Sequence, residues 1–212
     1  MERKRIVHTL DTPYSTVEWP SITPQSQQTI LDLLCHLLTP LANHRNSLPP
    51  SKGKRKRSNP PPSQSTPPPP PPPIKPYIDI GLPLIHRTLQ STPSAYIALF
   101  IPKTGQSPIF NCLFPSMIGS LSPEVRLVGF DMKEAAERLS EAAGIPRVSC
   151  VGIKKDAPEF LVKGLVEFIQ ENVKEVEVKW LKEVERGEFL ETRIKGVVTM
   201  VGKGKEKKKE GK

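Results

Sequence analysis

The chain has 212 residues, 25 prolines, three cysteines and a formal net charge of +9. That length allows one domain with appendages, and no apolar run reaches the roughly 18 residues of a membrane span. The start MERKRIVHTLDTP lacks a secretory apolar core, and Cys35, Cys112 and Cys150 with His8, His36, His44 and His86 form no metal-ligand spacing, which fits buried, reduced thiols in a soluble intracellular protein.

The first predicted element is a helix over 24–45. Thr23 can cap it, Pro24 suits its first turn, and Ile30, Leu31, Leu34, Leu37, Leu38 and Leu41 recur at helical spacing as one apolar stripe, with Pro40 expected to bend or frame the last turn. Residues 49–76 hold thirteen prolines and six basic residues without an acid. They predict a disordered, polyproline-like insertion. Its run Lys52, Lys54, Arg55, Lys56 and Arg57 has the form of a nuclear-localisation cluster, and the seven consecutive prolines could serve either as a ligand for aromatic-lined grooves or as a plain spacer. A lysine-rich tail, 202–212, carries six lysines against Glu206 and Glu210. Insertion and tail together hold the whole basic excess, so the remainder is almost neutral and any basic face on it must come from clustering.

From Tyr77 onward strands and helices alternate. AYIALFI (95–101), VRLVGF (125–130) and RVSCVGI (147–153) read as short apolar strands, and 82–90, 109–120 and 132–143 as helices. Asp131 with Glu134 forms a capping box for the last of these, and Gly144 with Pro146 stops it. A further helix is expected around Phe160–Ile169. VEVKWL alternates apolar and charged residues, and with LETRIKGVVTMV it predicts a terminal β-hairpin or an added sheet edge. The pattern gives a core of 77–201 built as an α/β sandwich around one sheet.

Signatures of catalysis are absent: there is no GxGxxG, GxxxxGK[ST], GxSxG or HExxH. We therefore expect no enzyme activity of its own, no metal, no cofactor and no small-molecule substrate. The stretch IDIGLPLIHRTLQ (78–90) is the informative one. Its glycine permits close backbone approach, and a helix starting there offers N–H groups to a phosphate or a base edge. Arg87 adds a guanidinium fork, while Gly144, Ile145, Pro146 and Arg147 make a small apolar loop with one cation, suited to an unstacked base. The plainer reading of Arg87 is a surface residue lying along its helix, and of Ile145-Pro146 a helix stop.

A leading helix, a glycine-started turn into a basic helix, then strand–helix–strand–helix–strand resembles the ribosomal-protein superfamily that binds kink-turn RNA. Within it, GLPLIHRTLQ, LFPSMIGSL, VRLVGF, AAGIPRVSCVGI, VKWL and FLETRIKGVV resemble the fungal Pop-three-type protein subunits of nuclear ribonucleases P and MRP. The resemblance implies a three-layer α-β-α sandwich around a mixed sheet, and RNA contacts by Gly81, Leu82, Pro83, His86, Arg87, Lys103, Gly144, Ile145, Pro146 and Arg147. It implies a nuclear and nucleolar ribonucleoprotein, with ribonuclease P or MRP RNA and other protein subunits as partners, and no membrane. The basic insertion and tail would add sequence-independent phosphate affinity. One position departs from the family. Pro83 stands where the superfamily's turn has a hydrogen-bonding asparagine, and proline has neither an N–H nor a polar side chain. Two other readings stay open: a small-nucleolar or ribosomal kink-turn protein, and a polyproline interaction adapter on a degenerate RNA-binding fold.

Overall fold

The computed structural model describes residues 4–11, 17–48, 69–188 and 191–200. They fall into two compact units, one of Thr16–Val178 and one drawn from Met1–Ser15 with Lys179–Lys212. The basic run of 52–57 expected to act in nuclear import, most of the proline block and the lysine tail lie outside the described residues.

In the larger unit, α1 spans Pro24–Ser47. Thr23 accepts a hydrogen bond from the Ser26 N–H at 3.1 Å, the expected cap. The helix runs past Pro40 for two turns, and the predicted stripe is buried, Leu37 only partly. The end of the proline block is anchored, contrary to a spacer reaching Pro76. Ile74 is buried, His44 Nε2 lies 3.0 Å from the Pro69 carbonyl, and Lys75–Tyr77 forms a 3₁₀ turn.

Then follow β2 (Ile78–Ile80), α2 (Leu82–Ser91), β3 (Tyr96–Pro102), α3 (Pro108–Leu121), β4 (Arg126–Phe130), α4 (Ala135–Ala143), β5 (Val151–Lys154) and α5 (Glu159–Asn172). The four strands form one mixed sheet in the order β2-β5-β3-β4, parallel only between β3 and β4. One sheet face, with Ala98, Phe100, Val128, Phe130, Val151 and Ile153, packs into a single core with α1, α4 and α5. Leu99, Ile101 and Leu127 alternate to the opposite face and are also fully buried, as are Ile85 and Leu89 of α2 and Ile118 of α3. The unit is thus an α/β fold with its sheet buried on both faces.

Among the described residues, charge enters this interior at one point. Asp79, only 6% exposed, accepts a hydrogen bond from the Tyr96 hydroxyl at 2.6 Å and pairs with Lys154 Nζ at 3.2 Å. Tyr96 lies in turn over Gly152, where a Cβ would meet its ring at 2.7 Å. Burial and the Asp79 carboxylate push the phenol up from its ordinary value, so it stays the donor.

Three expectations are corrected. Asp131 and Glu134 make no capping box. Lys133 and Glu134 form a turn, Glu134 occupies the cap position without a side-chain bond, and Asp131 instead pairs with Lys103 Nζ at 2.6 Å and exchanges hydrogen bonds with Gln27. VEVKWL is not a strand. Val176 and Val178 are buried against Gly119, where a Cβ would sit 2.5 Å from Val178 Cγ2. The alternation therefore reports one-sided burial of an extended segment without a paired ladder, and a short helix, α6 (Lys179–Glu185), starts at once. Nor does a terminal hairpin form. The strand Arg193–Met200, β6, pairs antiparallel with Lys4–Asp11, β1, from the other end of the chain. The division between units accordingly falls at Val178, not at 201.

The three cysteines are free, but they are not all buried: Cys112 is exposed, Cys35 partly covered and Cys150 buried. Burial pushes the Cys35 thiol up, and pushes that of Cys150 far up. Since the thiolate is the nucleophile, iodoacetamide at pH 8 should label Cys112 first, Cys35 slowly and Cys150 only after denaturation. Mass spectrometry of a labelling time course checks the order, and early labelling of Cys150 would contradict this packing.

Candidate nucleic-acid interface

Gly81 has φ 103°, a conformation that L side chains rarely adopt, and this lets β2 turn directly into α2. The turn does not offer a row of open N–H groups. Gly81 N–H donates to the Cys150 carbonyl at 2.8 Å, Leu82 N–H donates to Ser149 Oγ at 3.2 Å, and Pro83 has none to give. Among the described residues only the Leu84 N–H of the first turn stays without a partner. A phosphate cradle of the usual helix-start kind is therefore closed, and what remains at the turn is side chains.

The same bonds draw three loops together. Gln106 Nε2 donates to the Ser149 carbonyl at 3.3 Å, so Ser149 joins the β2–α2 turn, the β3–α3 loop and the α4–β5 loop. Ser149 was invisible to sequence reasoning, because its partners are distant in the chain. Gly144 closes α4 at φ 64°, with its N–H on Glu141 and the Ile145 N–H on Ser140, a left-handed helix stop as predicted. A Cβ there would lie 2.8 Å from Ala42 Cα, so this residue also sets how closely α1 approaches.

Two clefts flank the junction. The first, 510 Å³, runs between α2 and α3 and is lined by Leu82, Pro83 and His86 on one side and by Ile109, Phe110, Leu113, Phe114 and Met117 on the other, with Ser107 at its end. Ile109 is 71% and Leu113 60% exposed. The cleft was missed, although α3 did carry the signal: its apolar residues extend around more of the helix than one core contact can cover. The second cleft, 560 Å³, is formed by Gly144, Ile145, Pro146, Arg147 and Val148 against α4, which contributes Glu137 and Glu141. Two carboxylates make it a poor seat for phosphate, except on its Arg147 side.

The cations divide in the same way. Arg87, His86 and Arg147 are exposed, and no acid among the described residues pairs with either arginine. Lys103 differs from that expectation of a free contact. Its ammonium is held on Asp131 and lies 5.4 Å above the Trp19 ring, whose Nε1–H donates to the Asn111 carbonyl at 2.7 Å. Lys103 thus braces the β3–α3 loop. Of the ten predicted positions, Leu82, Pro83 and His86 share the first cleft, Gly144 to Arg147 the second, Gly81 the junction itself, and Arg87 the surface beside it.

No helix among the described residues is long and apolar enough to cross a membrane. No protein-family model matches the chain, and no curated protein sequence matches it.

Proposed function

We propose that the chain is a non-catalytic RNA-binding protein subunit of nuclear ribonuclease P and/or ribonuclease MRP, acting in tRNA 5′-end maturation and ribosomal RNA processing while the RNA carries catalysis. The observation that supports this reading is the Ser149 junction. It sets the turn at Gly81 and the loop at Gly144–Arg147 side by side, with Arg87 and Arg147 unpaired and an aromatic-lined cleft between α2 and α3 next to them. In this reading an unstacked base enters the α2–α3 cleft against Phe110, and its neighbouring phosphates lie on the two arginines. Pro83 and the closed N–H groups remove the backbone and amide donors a standard kink-turn contact would use. Recognition therefore rests on stacking, guanidinium forks and neighbouring protein subunits. That argues against the small-nucleolar and ribosomal alternatives.

The test is crosslinking in living cells followed by sequencing of the attached RNA, with the Arg87→Ala/Arg147→Ala double variant in parallel. Reads should concentrate on ribonuclease P or MRP RNA and fall strongly in the double variant. With purified protein, the slope of log K against log salt should flatten by about 1.4–1.8 for the two lost phosphate contacts. Phe110→Ala should weaken binding by about 1–3 kcal/mol with no change in slope. Reads spread over small nucleolar RNAs would reassign the protein, and RNA binding indifferent to both arginines would sink the proposal.

A further inference from the structure

The last prolines of the block, Pro69–Pro73, belong to the described residues and lie at the surface. Proline fixes its own φ at about −65°, and a proline that follows confines the preceding residue to extended ψ. Pro69, Pro70, Pro71 and Pro72 each precede another proline. Their backbone is therefore held as a left-handed polyproline helix of about three residues per turn, and every third residue shares one edge of a triangular rod. Pro69 and Pro72 lie on one edge, Pro70 and Pro73 on the second, and Pro71 on the third. The first edge is tied to the body of the unit. His44 Nε2 lies 3.0 Å from the Pro69 carbonyl, and Lys75 N–H donates to the Pro72 carbonyl at 3.0 Å, closing a turn that carries Ile74 into the core. Pro72 is partly buried, whereas Pro70, Pro71 and Pro73 are exposed. Among the described residues no group donates to the carbonyl of Pro70 or Pro71.

The two free edges present pyrrolidine rings and open carbonyls, with no charge and no donor. Such rings pack on aromatic side chains, and the carbonyls accept from an indole N–H or a phenol hydroxyl. Nucleic acid offers phosphates, which need donors this segment lacks. A groove can seat two edges of a triangular rod while the third faces away, and here the third is the edge already tied to His44. Because the backbone is ordered before any partner arrives, little conformational entropy remains to be lost on docking. We propose that Pro69–Pro73 is a docking site for a proline-reading domain, whose aromatic groove takes the Pro70–Pro73 and Pro71 edges and whose indole or phenol donors meet the Pro70 and Pro71 carbonyls. The inference stands apart from the RNA reading and survives its failure.

The test titrates the full chain into purified, nitrogen-15-labelled SH3, WW and EVH1 domains and follows the indole signal of each groove's tryptophan by NMR. We expect a saturable shift in at least one domain. Pro70→Ser/Pro71→Ser should weaken that binding by about tenfold or more, and Pro72→Ala by less than about threefold. Pro60→Ser/Pro61→Ser/Pro62→Ser, in the other proline run, should leave it unchanged. Amide exchange at Lys75 and Tyr77, whose N–H groups close the anchoring turns, reports whether the anchor persists in each variant. If Pro72→Ala opens the turn, the comparison of the 70–71 and 60–62 variants decides. No shift in any of the domains, or binding lost with the 60–62 change instead, would overturn the proposal. So would equal losses for Pro72→Ala and Pro70→Ser/Pro71→Ser with the turn intact, since the segment would then have to leave the body to bind. Self-association by light scattering that Pro70→Ser/Pro71→Ser abolishes would seat the segment on another copy and overturn it too, as would RNA binding lost with the same change.

Discussion

Asp79→Ala is expected to destabilise the α/β unit by about 3–5 kcal/mol, a large part of the 5–15 kcal/mol that holds a domain together. The cost comes less from the lost bonds than from what they leave behind. The Tyr96 hydroxyl, fully buried, loses its acceptor, and Lys154, with a side chain only 27% exposed, keeps a single carbonyl, that of Pro76. Tyr96→Phe removes only one partner and leaves the Asp79–Lys154 pair intact, so about 1–2 kcal/mol is expected. Urea unfolding followed by far-ultraviolet dichroism measures both, and equal costs for the two variants would disprove the ordering. The tyrosine also sets an alkaline limit. Its folded pKa is raised, so its contribution is complete below the ordinary phenol value near 10 and is lost as pH climbs above it. Tyr96→Phe should flatten that alkaline slope.

The second large effect belongs to Gly144. Substitution by alanine imposes two costs: about 1–2 kcal/mol for a left-handed backbone and about 1–3 kcal/mol for forcing a methyl group to 2.8 Å from the α1 backbone at Ala42. Asparagine tolerates left-handed geometry but carries the same Cβ, which separates the two. If close approach dominates, Gly144→Asn recovers at most about 1 kcal/mol of what alanine loses. Recovery of nearly all of it would show that φ alone matters. Because α1 and α4 meet here, RNA affinity at Arg147 should fall in step with stability in both variants. The measurement is thermal unfolding paired with filter binding.

How far the sequence predicted this architecture depends on how local the signal was. α1 through α5 and the three apolar strands announced themselves because helical periodicity, Thr23 and the Gly144 stop lie within a few residues of what they govern. Pairing was not local. β1, in the basic KRIVHTLD, has its partner more than 180 residues away and no turn signal beside it, so it passed for an ordinary N-terminus. Val176 and Val178 showed the right burial for the wrong reason, because alternation records which side is covered and not whether a strand lies alongside. At the site, residue types were readable and engagements were not: nothing near Lys103 hints at Asp131, nor near Leu82 at Ser149.

The closure of β1 on β6 also has a temporal side. At about 5–20 residues per second of synthesis, β6 follows β1 out of the ribosome by roughly 10–40 s, after all of 16–178 has been made. Throughout that interval Ile6 and Leu10 and both edges of β1 wait without their strand, open to pairing with whatever is nearby. The ribbon is thus the last piece of described structure that can form, and its completion marks a chain that has been translated through Met200.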